Sequence, residues 1–174
     1  MQRLERRAPA PWGKACAFTG HRPNKYPYLS DEKSAPYRAL VSRLRTEMQA
    51  LNQDGDTHFL SGGALGVDTL AALLILDMKK ENPDLTLEMA VPCPQQADRW
   101  PEPDRRTHAF LCESADVLTV ISPFYTPFCL FERNRFLVSR SDALIAVYDG
   151  TPGGTRMTLS CALDEKQRIV IVEP

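Results

Sequence analysis

The chain has 174 residues, 43% of them hydrophobic and 25% charged, with a formal net charge of −1 at neutral pH. These values are typical of one globular domain with a substantial core. Because the charges nearly cancel, there is no general basic field for a phosphate backbone, and direct nucleic-acid binding is predicted to be unlikely. No apolar run is long enough to cross a membrane, and the basic N-terminus lacks the apolar segment of a secretion signal. We therefore expect a cytoplasmic protein with a flexible arm over residues 1–14 and a single domain over residues 15–174.

Apolar patterns alternate between two periods along the chain. They predict six strands, over residues 14–18, 57–60, 85–91, 117–121, 142–148 and 168–172. The 3.6-residue spacing between them predicts helices over residues 35–51, 66–81, 103–112, 131–139 and 155–165. Most of these strands are apolar on both faces, which indicates helices on both sides of the sheet. The predicted fold class is α/β, a Rossmann-like three-layer sandwich with a mostly parallel sheet flanked by helices.

The cysteines favour neither a metal site nor a disulfide framework. Their number is odd and no two have Cys-x-x-Cys spacing; they are Cys16, Cys93, Cys112, Cys129 and Cys161. Free thiols of this kind are typical of a reducing compartment. We predict no metal and no evident resident cofactor.

The second predicted strand leads directly into a glycine turn and a helix, in the sequence FLSGGALGVD of residues 59–68. Such a turn presents free N–H groups and the positive end of a helix dipole, which commonly bind phosphate. The alternative is a structural turn whose glycines only permit positive φ or close packing. The segment lacks the Lys-Ser or Lys-Thr of a Walker loop. Its Gly-Gly-x-x-Gly spacing also differs from the dinucleotide fingerprint, so we do not expect an NAD dehydrogenase.

Small and polar residues also follow the first and fifth predicted strands, and the fifth leads into a second glycine turn before a helix. In an open α/β sheet the ligand crevice lies beyond the carboxyl ends of the strands. We therefore predict that these segments converge on a nucleotide-like ligand. The candidate ligand-binding residues in them are Thr19, Gly20, His21, Arg22, Ser61, Gly62, Gly63, Ala64, Gly66, Asp68, Asp149, Gly150, Gly153, Gly154 and Thr155.

Several of the charged candidates have a second interpretation. His21 and Arg22 could contact a phosphate or a base, or form a salt bridge within their loop. Asp68 could bind a ribose hydroxyl or brace its own turn. Arg133 and Asn134 are further candidate ligand-binding residues that could reach the crevice from their helix, although a solvated helix face is the alternative.

Aromatic residues cluster in two of the predicted loops. They could form a base-stacking wall or a dimer surface, although such clusters are more often simply packed. The residues concerned are Trp100, Phe124, Tyr125 and Phe128.

Three long motifs, in this order, resemble those of the YpsA family. They are CAFTGHRP at residues 16–23, SGGALGVD at residues 61–68 and SDALIAVYDGTPGGT at residues 141–155. The resemblance implies membership of the SLOG superfamily, whose Rossmann-like domains are related to the LOG phosphoribohydrolases and the DprA/Smf DNA-processing proteins. It also implies a nucleotide or nucleotide-derived ligand, such as one resembling ADP-ribose.

One departure from the LOG pattern bears on catalysis. LOG-type enzymes resemble Pro-Gly-Gly-x-Gly-Thr-x-x-Glu, in which the acid helps to cleave an N-glycosidic bond. Here Thr158 stands where that acid would fall, which leaves Asp149 as a weak candidate general base, although Asp-Gly is also a common turn sequence. We expect a sensory or regulatory binding module, with a LOG-like hydrolase of nucleoside monophosphates as the alternative. LOG relatives pair through helices, so a homodimer is a further expectation by analogy.

Overall fold

A computed structural model describes residues 13–174 of the chain. The predicted flexible arm over residues 1–14 therefore lies mostly outside the described residues. Its last residue, Lys14, begins the first strand.

Within residues 13–174, strands and helices alternate as the sequence predicted. The strands are β1 (Lys14–Gly20), β2 (Asp56–Ser61), β3 (Thr86–Val91), β4 (Val117–Val120), β5 (Ala143–Val147) and β6 (Arg168–Val172). The α-helices are α1 (Ala35–Gln53), α2 (Val67–Lys79), α3 (Glu102–Ser114), α4 (Cys129–Ser139) and α5 (Gly154–Asp164). A 3₁₀ helix over Pro27–Ser30 lies in the segment predicted as a loop. Every predicted element is confirmed, with ends that differ by a few residues.

The strands form one parallel sheet in the order β4-β3-β2-β1-β5-β6. The chain moves outward from β1 to β4, then crosses back to place β5 on the other side of β1. The strand order therefore reverses between β1 and β5, where α/β folds form their ligand crevice. The predicted α/β, Rossmann-like fold is confirmed, and the sheet of the described residues is parallel throughout.

Alternate residues of the central strands enter two separate apolar layers. Phe59 of β2 belongs to the layer that α1, α2 and α3 complete, while its neighbour Leu60 belongs to the layer completed by α4 and α5. Both side chains are fully buried, as is Phe18, whose ring stacks on Phe59 at 6.0 Å between centroids. Burying each large apolar side chain stabilises the fold by about 1.5–3 kcal/mol. This two-sided core holds the carboxyl ends of β1, β2 and β5 at one edge.

A buried polar cluster interrupts the apolar layers. His58 Nε2 lies 2.9 Å from Glu88 Oε2, and the Thr119 hydroxyl donates to Glu88 Oε1 at 2.6 Å. His58 Nδ1 lies 2.8 Å from the Thr86 hydroxyl. Reading β2 and β3 as apolar on both faces did not predict this cluster. It joins three adjacent strands through side chains as well as through the sheet.

Replacing Glu88 by Gln is expected to lower the free energy of unfolding at pH 7 by about 1.5–3 kcal/mol, the worth of a charged hydrogen bond. Burial alone would raise the pKa of Glu88, but the bonds to His58 and Thr119 hold it below its ordinary value. A carboxyl with a depressed folded-state pKa stabilises the fold above its unfolded pKa, and that contribution is lost as the pH falls through the folded value.

Urea unfolding of wild type and Glu88→Gln at several pH values between 7 and about 3 tests this, since model glutamate titrates near pH 4.3. The difference in stability should narrow toward the acid end. Glu81→Gln, at an exposed glutamate beyond α2, is the control. A difference that stays constant with pH would contradict the assignment of the effect to Glu88 ionisation.

Candidate functional site

The carboxyl ends of β1 and β5 lie side by side, and their last paired residues are Gly20 and Val147. The residues that follow them, His21 and Tyr148, stack with ring centroids 6.2 Å apart. The ring of Tyr26 meets His21 edge-on at 5.4 Å. Aromatic packing thus fixes the first residue beyond β1 at the point where the strand order reverses.

His21 also contacts the glycine turns that precede α2 and α5. Gly66, the N-cap of α2, has φ 95°, and a Cβ built on it would lie 2.8 Å from the His21 carbonyl oxygen. Gly153, the N-cap of α5, approaches the His21 ring so closely that a Cβ there would lie 3.4 Å from Cε1. The loops after β1, β2 and β5 therefore meet at one residue, as convergence on a single crevice requires. We call this place the His21 crevice.

The start of α5 is open to a ligand. Its N-cap, Gly153, provides no side-chain cap to the first-turn N–H groups. Gly150 and Gly154 are exposed, and a Cβ on either would meet nothing within 4 Å. Uncapped amides at a helix N-terminus form a site for anions.

Two threonines of α5, Thr155 and Thr158, have buried side chains. Thr155 is buried in the first turn. Thr158, at the position of the LOG-type acid, is also buried, and its hydroxyl donates to the Gly154 carbonyl at 3.0 Å. The position therefore carries a hydroxyl that is already bonded to the helix.

The β2 loop, by contrast, uses several of its own polar groups. The Ser61 hydroxyl accepts from the Gly63 amide at 3.2 Å and donates to the Asp68 carbonyl at 2.8 Å. The Asp68 carboxylate accepts from the Ala64 amide at 3.3 Å. Two of the amides that the sequence assigned to an anion, those of Gly63 and Ala64, are thus bonded within the loop.

Arg133 reaches this loop from α4. Its Nη1 donates to the Gly62 carbonyl at 2.5 Å and lies 3.2 Å from Asp68 Oδ2. Both ions are buried, and a side chain at Gly62 would overlap the guanidinium. Burial raises the pKa of Asp68, which Arg133 partly offsets, and burial likewise lowers the pKa of Arg133. Asp68 braces its own turn through its contacts with Ala64 and Arg133. Arg133 supports the loop from behind, and Asn134 is half-buried beside it on α4.

The Asp149 carboxylate is held by its neighbours. It accepts from the Thr151 hydroxyl at 2.6 Å, from the Thr151 amide at 3.0 Å and from Lys25 Nζ at 3.1 Å. The Thr151 hydroxyl is the main reason that the pKa of Asp149 lies well below its usual range. Because a base with a depressed pKa takes up protons poorly, this environment does not favour general-base catalysis.

Lys25 is a residue of the His21 crevice that the sequence analysis did not name. Its ammonium lies 3.2 Å from His21 Nε2, and His21 Nε2 lies 3.7 Å from Asp149 Oδ1. Burial and Lys25 lower the pKa of His21, against the effect of Asp149. The i, i+4 spacing of His21 and Lys25 was a weak signal, because the segment between them was predicted as a loop.

Arg22 is the most available cation of the His21 crevice. It is exposed, and it forms no ion pair with any residue that the structure describes. Its charge nevertheless acts on both Asp68 and Arg133, which places its guanidinium near the β2 loop. The alternative that Arg22 forms a loop salt bridge is therefore not seen in the described part of the chain.

A sequence profile of the YpsA family, described as the YspA SLOG family, matches residues 16–169. The chain belongs to this family. A UPF0398 protein of Bacillus cereus is 30% identical over 151 residues, covering 82% of this chain and 78% of the relative. A UPF0398 protein of Bacillus thuringiensis is 29% identical over 152 residues, covering 86% and 82%. The family resemblance of the three motifs is confirmed.

Two solved structures share the fold. DNA processing protein A from Helicobacter pylori superposes with a TM-score of 0.60 at 18% identity, covering 92% of this chain and 66% of that one. DNA processing protein A from Streptococcus pneumoniae gives 0.62 at 15% identity, covering 92% and 50%. This SLOG chain therefore spans two thirds of the first and half of the second. At these identities the likeness concerns the fold alone.

The prediction that direct nucleic-acid binding is unlikely is contradicted by these neighbours. The Helicobacter pylori protein is described as having a single-stranded-DNA binding mode, and it has this fold. The prediction rested on net charge, which averages over the whole surface. A single strand can be held by a local set of cations and aromatic rings, so a net charge of −1 does not exclude it.

Two further observations concern membrane-spanning helices and metal sites. Among residues 13–174, no helix combines the length and the apolar character that a bilayer span needs. In the same residues, no three His, Cys, Asp or Glu side chains are grouped so that they could hold a metal ion.

Proposed function

We propose that this protein is a binding module for a nucleotide or a nucleotide-derived ligand resembling ADP-ribose, in a sensory or regulatory role. The phosphate would occupy the His21 crevice. The observation that carries this proposal is the contact of His21 with both Gly66 and Gly153. These glycines are the N-caps of α2 and α5, and neither helix has a side-chain cap. The positive ends of both helices therefore lie next to His21, which follows β1 at the point where the strand order reverses.

The charges around the crevice support an anionic ligand. Arg22 is exposed, and Lys25 is shared between His21 and Asp149. The open first turn of α5 lies against the His21 ring, so a phosphate there would accept from backbone amides. The buried Arg133–Asp68 pair holds the β2 loop in place beside this site.

Binding is favoured over hydrolysis by two features of the β5–α5 segment. Thr158 provides no carboxylate where a LOG-type enzyme has one, and its hydroxyl bonds to the helix backbone. Asp149 is committed to Thr151 and Lys25, and its pKa is depressed. An oxocarbenium-like transition state would need a carboxylate free to stabilise it or to activate water.

Replacing Arg22 by Ala is expected to weaken AMP and ADP-ribose binding about 10- to 100-fold, since a charged hydrogen bond contributes about 1.5–3 kcal/mol. Isothermal titration calorimetry measures the effect. Lys80→Ala is the control, because it removes an equal charge at the opposite end of α2, where Lys80 is exposed. Equal affinities for Arg22→Ala and Lys80→Ala would exclude Arg22 from the site.

A second experiment distinguishes a binding module from a hydrolase. Wild-type protein is mixed with AMP or ADP-ribose, and free adenine is followed by chromatography. A thermal shift without adenine release supports the proposal. Adenine release would favour the hydrolase, and no shift with AMP, ADP-ribose or inorganic phosphate would contradict the proposal.

Single-stranded DNA is a second candidate ligand, favoured by the fold shared with the Helicobacter pylori protein. Aromatic side chains beyond β4 are exposed to 63–69% of their surface, as base stacking on a strand requires; they are Phe124, Tyr125 and Phe128. Fluorescence anisotropy of a labelled oligothymidylate at several salt concentrations tests this candidate. If single-stranded DNA binds, the logarithm of its binding constant should fall linearly with the logarithm of the salt concentration, because bound phosphates release counterions.

A further inference from the structure

A cavity of about 540 Å³ is lined on one side by Arg22 and extends away from the His21 crevice. The segment after β3, the loop after β4 and the start of α4 supply the rest of its lining. The volume falls within the roughly 300–1,000 Å³ of small-molecule sites. We propose that this cavity binds an unpaired nucleobase whose phosphate lies in the His21 crevice, with Arg22 between the two. This proposal rests on the proposed function and adds the part of the ligand that the cavity recognises.

Part of the lining is apolar and uncharged. Pro92, Cys93 and Cys129 line the cavity and are buried. Burial raises the pKa of the Cys93 thiol, and the adjacent Cys129 thiol raises it further, so Cys93 is protonated at neutral pH. These surfaces suit a neutral, flat group better than a second phosphate.

Aromatic side chains form another part of the lining. Trp100 is half-buried, and its ring meets His108 edge-on with centroids 5.2 Å apart, which fixes its orientation. Tyr125 lines the cavity from the loop after β4 and is 65% exposed, so it can adjust to a ligand. Rings of this kind bind bases of any identity by stacking.

Gln96 links the cavity to the loop that borders the phosphate. Its Nε2 donates to the Gly62 carbonyl at 3.1 Å, and Arg133 donates to that same carbonyl. Its Oε1 is buried and has no hydrogen-bond partner among the described residues. A buried acceptor without a partner is unfavourable, and a rotation of the Gln96 side chain toward the cavity that it lines would let the exocyclic amine of a base donate to Oε1.

The order of the lining residues matches one ligand with two chemical ends. Arg22 lines the cavity and also lies between His21 and Lys25 in the loop after β1. An anion beside Arg22 and a planar base against Trp100 would therefore belong to the same molecule. An apolar peptide side chain would fit part of the lining, but it would leave the Arg22 guanidinium and the Gln96 Oε1 without partners.

The test titrates AMP, ribose 5-phosphate and adenosine into wild type, Trp100→Ala and Trp100→Phe by calorimetry. We expect Trp100→Ala to weaken AMP about 10-fold or more, from lost stacking, and to leave ribose 5-phosphate unchanged. Trp100→Phe keeps a ring and should stay near wild type. Tyr125→Ala, at an exposed position, provides a second variant whose folding does not depend on core packing.

The outcomes separate this inference from the proposed function. One outcome is that AMP and ribose 5-phosphate bind equally and that neither Trp100→Ala nor Tyr125→Ala changes the affinity for AMP. That outcome would overturn the base pocket and leave the phosphate site standing. If neither inorganic phosphate nor ribose 5-phosphate binds but adenosine binds in a Trp100-dependent way, the phosphate site fails and the base pocket stands. A short oligodeoxyadenylate that displaces AMP only when Trp100 is present would support the pocket and identify single-stranded DNA as the source of the base.

Discussion

Replacing Arg133 by Ala is expected to lower the free energy of unfolding by about 3–5 kcal/mol, the range for removing one partner of a buried ion pair. Asp68 would remain buried without its counter-ion, and the Gly62 carbonyl would lose one of its donors. Urea unfolding followed by circular dichroism measures the loss. Arg135→Ala is the matched control, since Arg135 is an exposed arginine on the same helix that contacts only the ring of Phe131 among the contacts described, at 5.8 Å.

Two further variants show whether the effect belongs to the pair. Asp68→Leu combined with Arg133→Met replaces both charged side chains by apolar side chains of similar volume. Such replacements of a buried ion pair are often neutral or stabilising by about 1–4 kcal/mol. The double variant should therefore be more stable than Arg133→Ala. A single Arg133→Ala variant that loses no more stability than Arg135→Ala would mean that the β2 loop does not depend on this pair.

Replacing Gly154 by Asp is expected to abolish binding of AMP or ADP-ribose while leaving the fold intact. A Cβ at Gly154 meets nothing within 4 Å, so the side chain fits. A carboxylate in the first turn of α5 stabilises the helix by about 0.3–1 kcal/mol through its dipole. The same charge repels a phosphate at that helix end, and like charges brought together in a binding site cost several kcal/mol.

Gly154→Ala is the control for Gly154→Asp, because it adds the Cβ without the charge. We expect calorimetry to show at least about 100-fold weaker binding for Asp, the result of roughly 3 kcal/mol of repulsion, and little change for Ala. Thermal unfolding should show that both variants are at least as stable as wild type. Equal affinity of the Asp and Ala variants would place the phosphate away from α5.

The fold could be predicted from the sequence because its signals are local. The two alternating periods predicted every strand and α-helix of the described residues, and parallel strands necessarily gather their carboxyl ends at one edge. Ser34 precedes α1 and is of a residue type that commonly caps helices, and its hydroxyl accepts from the Tyr37 amide at 3.3 Å. Signals of this kind depend on residues a few positions apart.

The details of the site depend on contacts between distant residues. Arg133 and Gly62 are 71 positions apart, so no local pattern indicates that one braces the other. The closure of the β2 loop by its own Ser61 and Asp68 side chains was one of two open interpretations, because a glycine turn looks the same whether its amides face a ligand or not. The His58–Glu88 pair was missed for a related reason, since each partner lies alone in an otherwise apolar strand.

The place of β5 in the sheet also governs when the crevice can exist during synthesis. β1 has β2 on one side, but its other neighbour is β5, over Ala143–Val147. A nascent chain that has left the ribosome only as far as β4 has four of the six strands, and the edge of β1 that pairs with β5 is still unpaired. The glycine turn before α5 emerges later still, so the proposed phosphate site can form only after most of the chain has been synthesised.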